Sequence, residues 1–354
     1  MNIIYIGPLW VGATCRLRME ALIALGHKVT PVDTQPGFVR QKVSQPVWRI
    51  LQRIFGPIDF AGVNGEMLQI VKDSGESIDV IWVDKGQTIK PKVLDKVKES
   101  APSIVLAHYN PDDPFGRLKN GWGQFLAGAS RYDVHFVPRR QNLQEYAALN
   151  CKRVYLFDRS YSPEAHCPVN VTQEDRLLYG GEVGFIGSYE KERALDILFL
   201  ARNGVKVRVW GAYWDRAEWM VHENILLEKR PLHGADYAKA ICCFDINLGF
   251  LRKDNRDSHN SRSIEIPACG GFMLAERSDD HMRLFVEGRE AEFFGSREEL
   301  LKKVKYYLSN PTPRAEIAAA GRARCVGSMY STVDRMKQLL QLVEKCNKLD
   351  GMND

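Results

Sequence analysis

The densest chemistry in the chain lies in Asn260–Glu276, NSRSIEIPACGGFMLAE. Its polar opening, the Gly270-Gly271 stop and the apolar run behind it predict a short helix and then a strand from Phe272 to Ala275. Asn260 or Ser261 caps such a helix, and its first-turn amides, at the positive end of the dipole, suit a phosphate. Arg262 stands beside them, and Glu265, three residues on, shares its face. Charge for a diphosphate and a carboxylate for two hydroxyls are what a nucleotide diphosphate-sugar requires. The glycine pair lets backbone approach a ligand closely.

A second group closes the expected strand Ser103–His108, in the run HYNPDDPFG. Open parallel sheets bind ligands at the carboxyl ends of their strands. His108, Asp112 and Asp113 are therefore candidates for the base that deprotonates an acceptor hydroxyl, although Asp after Pro is equally turn chemistry. Two adjacent acids without further ligands do not fill a coordination shell, so no metal is expected.

The elements that must position these groups repeat a strand, glycine turn and helix. Ile3–Ile6, the turn Gly7 to Gly12 and a helix from Thr14 to Leu25 open the chain, and Lys28–Val32 follows. Asp33 falls where dinucleotide enzymes keep a ribose acid, but G-x-G-x-x-G fails at Leu9. Trp10, Gly12 and Thr14 in that turn either touch a substrate or form a tight turn over a packed indole. Ile78–Val83, Tyr132–Val137 and Arg153–Phe157 continue the strands. The pattern restarts at Gly184, with Val205–Trp210, Phe244–Gly249 and Glu292–Phe294 as later strands, a helix between 232 and 243, and three helices after Ser296. Alternation of this kind predicts an α/β protein with parallel sheets.

At 354 residues, two domains are expected. The Pro-rich stretch YSPEAHCPVNVTQEDRLL reads as their linker, with His166 a loop residue. The boundaries expected are 1–165, 166–325 and a terminal helix over 326–354 whose Met336, Leu339, Leu340 and Val343 form a packing stripe. Residues 38–55 form a basic amphipathic segment that is either a core helix with a solvated side or a membrane-surface element.

The chain has 49 basic and 44 acidic residues, a net charge of +5 that is too mild and dispersed to argue for nucleic acid. Eight cysteines without C-x-x-C spacing suggest reduced thiols and a cytoplasmic setting. The N-terminus lacks a basic region before its apolar run, so a first strand rather than a signal peptide is expected, and no stretch reaches the length of a membrane span.

The strings RSIEIPACGGFMLAE and EGREAEFFGSREELLKKVKYYLSNP, together with Tyr109-Asn-Pro-Asp112-Asp113, resemble the CgeB-like spore-maturation glycosyltransferases. The resemblance implies a GT-B fold, two facing Rossmann-like domains with a central cleft and C-terminal helices crossing back to the first domain. It implies a nucleotide-sugar donor in the C-terminal domain and an acceptor, glycan, lipid-linked or protein, held by the N-terminal one through Trp10, Gly12 and Thr14. It implies no cofactor and no metal. Glu265 matches the second acid of a Glu-x7-Glu donor motif and implies a ribose contact, while Asp257 stands where the first Glu would be. Gly187 is kept from a Gly-Arg turn, Ser188 replaces its Arg, and Arg193 occupies the place of the diphosphate Lys. Arg262 would stabilise the leaving group. Gly211 ends a strand nearby, and Pro231 and Leu232 lie on the loop where relatives grip the base. The function implied is glycosyl transfer in bacterial surface glycan, glycolipid or spore-coat assembly, by a cytoplasmic enzyme at most peripheral to the membrane. The alternative is a non-catalytic GT-B-fold protein that binds a nucleotide, glycan or protein.

Overall fold

The computed structural model describes residues 1–74, 77–116 and 121–350, apart from the side chains of 43, 44, 46, 49, 53 and 347–350. The chain divides into two compact units. The first holds residues up to Asp158, the short segment Lys253–Arg256 and the chain from Thr332 onward, and the second holds Arg159–Arg252 and Asp257–Ser331.

The first unit is built on β1 (Asn2–Gly7), β2 (Lys28–Asp33), β3 (Val80–Asp84), β4 (Val105–Tyr109), β5 (Val134–Val137) and β6 (Val154–Leu156). They form one parallel sheet in the order β2-β1-β3-β4-β5-β6. Alternate residues enter two separate cores: Ile4 and Ile6 pack with Val63, Met67 and Leu94, whereas Ile3 and Tyr5 pack with Leu22, Met336, Leu339 and Val343. A sheet buried on both faces by helices reads as a continuous apolar run, which is why IIYI and VIWV carry no polar alternation. The Met and Leu stripe of the helix Thr332–Asp350 is buried in this unit.

The second sheet contains β7 (Gly181–Ile186), β8 (Val207–Trp210), β9 (Ile225–Leu227), β10 (Phe244–Gly249), β11 (Met273–Glu276) and β12 (Glu292–Phe294). All its pairings are parallel, in the order β12-β11-β10-β7-β8-β9. Numbered within the unit this is 6-5-4-1-2-3, the order of a doubly wound dinucleotide fold, whose crevice opens where β7 and β10 diverge.

The structure differs from the sequence expectations in four places. The unit boundary falls at Asp158 rather than at 165, because Tyr161, Ser162 and His166 are buried in the second unit and the Tyr161 amide donates to the Tyr330 carbonyl at 3.2 Å. The supposed linker includes a helix, Gln173–Tyr179, opened by a reciprocal pair in which Thr172 accepts from the Asp175 amide at 3.0 Å and Asp175 accepts from the Thr172 amide at 3.1 Å. The last boundary lies at Ser331, since the helix Pro311–Gly327 belongs to the second unit. Residues 38–55 form two helices, Gly37–Ser44 and Pro46–Phe55. Pro46 forces the break: the residue before it, Gln45, is extended with ψ 139°. The side chains of Arg49 and Arg53 in that segment lie outside the described residues.

Candidate functional site

The helix Ser261–Ala268 starts at the mouth of the crevice between β7 and β10. Asn260 occupies its N-cap position, donating its amide to Ser263 Oγ at 3.0 Å and its side-chain nitrogen to the Phe250 carbonyl at 3.1 Å. Behind it runs a directional chain. The His281 Nδ1–H donates to the Glu276 carbonyl at 2.6 Å, which leaves Nε2 to accept from Ser263 Oγ at 2.7 Å. Burial holds the His281 imidazole down at about 4, so it stays neutral and keeps this pattern. The first turn that carries Arg262 is thereby fixed from the strand side.

Arg262 lines a narrow crevice with Gly184 and Ile186 of β7, Asn247 and Leu248 of β10, and Tyr237. Its Nε is buried with no hydrogen-bond partner. Arg193, in the first turn of the helix Lys191–Arg202, is 4% exposed and donates once to the Ser188 carbonyl at 3.1 Å. Its Nη2 lies 3.5 Å from Glu190, yet neither Nε nor Nη2 makes a hydrogen bond. Burial first, and then the cation of Arg262, bring the Arg193 guanidinium down to about 10. Two neighbouring guanidiniums with unbonded, desolvated N–H groups are costly in an empty site and favourable around an anion.

The turn beside them is shaped by Gly187 and Gly211. Gly187 donates its amide to the Trp210 carbonyl at 2.8 Å and accepts from Trp214 Nε1 at 2.8 Å. A Cβ on Gly211 would stand 1.9 Å from the Gly187 carbonyl oxygen, so only glycine lets the ends of β7 and β8 approach this closely. The Gly211 amide also donates to the Arg230 carbonyl at 2.9 Å, which holds the loop of exposed Pro231 and buried Leu232 against the strand end.

Glu265 is buried in this unit, and its Oε2 accepts from the Tyr237 hydroxyl at 2.7 Å. The other oxygen, Oε1, lies 3.8 Å from His166 Nε2. His166 Nδ1 accepts the Ser162 amide at 3.0 Å, so the imidazole's proton sits on Nε2 and faces the carboxylate. Sequence reasoning left His166 in a loop and gave Tyr237 no role. The signal for the contact was absent, because residues 166, 237 and 265 meet only through the fold.

Gly270 and Gly271 stand at the opposite end of the same helix from Arg262. Gly270 is left-handed at φ 77°, its amide donates to the Pro267 carbonyl at 2.8 Å, and the Gly271 amide donates to the Ile266 carbonyl at 3.0 Å. That is a helix-ending Schellman pair, in which the left-handed Gly270 is the residue that needs glycine.

The candidates in the first unit separate. His108 is fully buried, its Nδ1 3.0 Å from His135 Nδ1, its ring stacked 4.4 Å from Phe125. Burial, only partly offset by the Lys85 carbonyl, holds it down at about 3. It is a core imidazole and cannot reach an acceptor. Asp113 is also enclosed: its carboxylate accepts from Asn142 at 3.0 Å, from the Phe115 amide at 3.1 Å and from Arg256, with Arg256 Nη2 at 2.9 Å. Burial would raise it, but the hydrogen bonds from Arg256, Asn142 and Phe115 prevail and hold it below the usual range. Asp112, by contrast, has a side chain 36% exposed, paired with Lys85 at 2.9 Å. Trp10 is half-buried under the Arg40 guanidinium, Gly12 is left-handed at φ 92°, and Thr14 is the first residue of the helix Thr14–Ala24. Asp33 accepts the Leu9 amide at 3.0 Å and the Gln35 amide at 2.9 Å, so it pins this turn.

Among the described residues no group of three or more metal-ligating side chains occurs, and no helix is long and apolar enough to cross a membrane.

This fold is that of the GT-B glycosyltransferases. The chain is similar to Anabaena HepE, solved in complex with UDP, at 11% identity over 98% of this chain and 100% of that one with a TM-score of 0.65. It is similar to a glycosyltransferase from Rickettsia africae (12% identity, 98% of each chain, TM-score 0.66). The sucrose-phosphate synthase of Thermosynechococcus elongatus aligns at 12% identity over 98% of this chain and 99% of that one, TM-score 0.68. Residues 191–341 match the family described as glycosyl transferase-like. No curated relative matches the sequence.

Proposed function

We propose that this protein is a metal-independent glycosyltransferase of the CgeB-like branch, moving a sugar from a nucleoside diphosphate to a hydroxyl acceptor in bacterial surface glycan, glycolipid or spore-coat assembly. The observation that carries this is the pair Arg193 and Arg262, two under-bonded guanidiniums at the switch point of the second sheet. The solved HepE complexes with UDP and UDP-glucose, on the same fold, support a nucleotide donor.

In this assignment Arg262 and Arg193 neutralise the departing diphosphate, the kind of fixed electrostatic stabilisation that supplies the largest share of many rate enhancements. Glu265, held by Tyr237, accepts ribose hydroxyls. Asp112 takes the acceptor's proton if the anomeric centre inverts. Trp10, Gly12 and Thr14 contact the acceptor. No cofactor beyond the donor is required.

Ser188 and Asp257, which stand where relatives carry Arg and Glu, favour a second reading in which the fold binds a nucleotide or glycan without turnover. Incubation with a panel of nucleotide-sugars and analysis of released nucleotide separates the two. Slow hydrolysis of one donor, with kcat lowered at least tenfold by Arg262→Ala, supports the enzyme. Tight binding with no release from any donor, with or without acceptor glycans, supports the binding protein.

A further inference from the structure

Five of the chain's large apolar side chains are exposed within one stretch of the first unit: Phe38 (61%), Val47 (56%), Ile50 (57%), Ile54 (67%) and Phe55 (74%). Val47, Ile50 and Ile54 are spaced i, i+3, i+7 in the helix Pro46–Phe55 and so form one row along it. The helix is attached by its other side, where Trp48 meets Phe60 edge-on at 4.9 Å and the Lys42 ammonium lies 4.6 Å over both rings. A helix that already has its packing seam does not need this row for the core.

The charge of this stretch of sequence has one sign. Arg40, Lys42, Arg49 and Arg53 fall within residues 38–55, and no acidic residue occurs between Asp33 and Asp59. An apolar row of about two turns, in a stretch whose charges are all basic, suits a surface that is apolar beneath and anionic at its rim. A protein partner would need an acidic collar around an apolar groove. A bilayer containing anionic lipid offers both layers without further design.

We propose that Phe38, Val47, Ile50, Ile54 and Phe55 insert into the headgroup boundary of an anionic membrane, with the net positive charge of the stretch attracting lipid phosphates. The chain then lies on the bilayer surface and would meet an acceptor there. This inference does not depend on the donor assignment, because it needs no nucleotide.

Co-sedimentation of the full chain with phosphatidylcholine vesicles, with and without phosphatidylglycerol, tests it. Expected is binding to the mixed vesicles, weak binding to phosphatidylcholine alone and loss at high salt, since each basic residue near an anionic surface contributes about fivefold. The triple variant Ile50→Ser/Ile54→Ser/Phe55→Ser should bind at least tenfold more weakly at unchanged Tm, as all three side chains are exposed. Arg49→Gln/Arg53→Gln should also weaken it at least tenfold. Equal partitioning of wild type and triple variant would overturn the proposal. So would a wild-type dimer in solution that the triple variant converts to a monomer, with neither binding vesicles, because the row would then be covered by a second copy.

Discussion

The Tyr237 hydroxyl donates to Glu265 Oε2 at 2.7 Å, and this bond decides which carboxylate oxygen is left for a ligand. Oε1 lies 3.8 Å from His166 Nε2. Tyr237→Phe should therefore keep the fold but leave Glu265 free to rotate. A hydrogen bond to a charged group contributes about 1.5 kcal/mol or more, so the donor KM should rise about tenfold with little change in kcat. Glu265→Ala should raise it further. Steady-state kinetics at saturating acceptor would show this, and an unchanged KM in both variants would remove Glu265 from the donor site.

Asp112 and Asp113 should part company on mutation. Asp113 is enclosed by Arg256, Asn142 and the Phe115 amide, so Asp113→Asn should lower the thermal midpoint, consistent with a loss of about 2 kcal/mol when one partner of a partly buried ion pair is removed. Asp112→Asn should leave the midpoint within a degree or two and, if the reaction inverts, lower kcat about a hundredfold or more. The reverse pattern would move the base to Asp113.

A methyl group at Gly211 cannot be accommodated without moving the Gly187 carbonyl, 1.9 Å from where it would stand. Gly211→Ala should cost about 3 kcal/mol and weaken nucleotide binding in parallel, because the same displacement shifts the turn next to Arg193. Denaturant unfolding measures the first and calorimetry the second. A variant as stable as wild type would show that the turn has slack.

How far the site was legible in the sequence depends on the range of the interaction. The helix Ser261–Ala268 with Arg262 and Glu265 on it was readable, because caps, glycine stops and i, i+3 spacing are local. So were nearly all the long strands, since IIYI, VIWV and FMLA are apolar runs bounded by turns. The short edge strand Ile225–Leu227 and the helix Val63–Ser74 were not, having weak flanking signals. His108 misled because position at a strand end says nothing of which face the side chain takes: it points into the aromatic layer of Phe125, Tyr132 and Tyr146. The glycine pair is ambiguous in a different way. Gly270 and Gly271 end the helix, and in a linear text the same two residues signal a helix stop and a close ligand approach alike. The visit of Lys253–Arg256 to the first unit, where Asn255 accepts the Asp113 amide at 2.8 Å and Arg256 pairs with Glu145, depends on partners more than a hundred residues away. No local pattern encodes that.

Acid should destabilise the protein early. His281 is held down at about 4 and His108 at about 3, both by burial, while an unfolded imidazole titrates near 6.5. Between those values the unfolded chain binds protons that the folded one does not, so stability present above pH 6.5 is lost as pH falls toward 4 and then 3. The loss from His281 alone is on the order of 3 kcal/mol by pH 4. A thermal midpoint flat from pH 7 to pH 4.5 would mean that these imidazoles take up protons without unfolding.

The central claim is that Arg193 and Arg262 hold a nucleoside diphosphate, and titration calorimetry tests it with UDP, GDP and ADP on the wild type, Arg193→Ala and Arg262→Ala. The account predicts that at least one nucleotide binds the wild type, that the corresponding nucleoside binds far more weakly, and that each arginine variant loses about tenfold or more in affinity while remaining folded. No binding of any nucleotide by the wild type, or an affinity unchanged in Arg262→Ala, would contradict it.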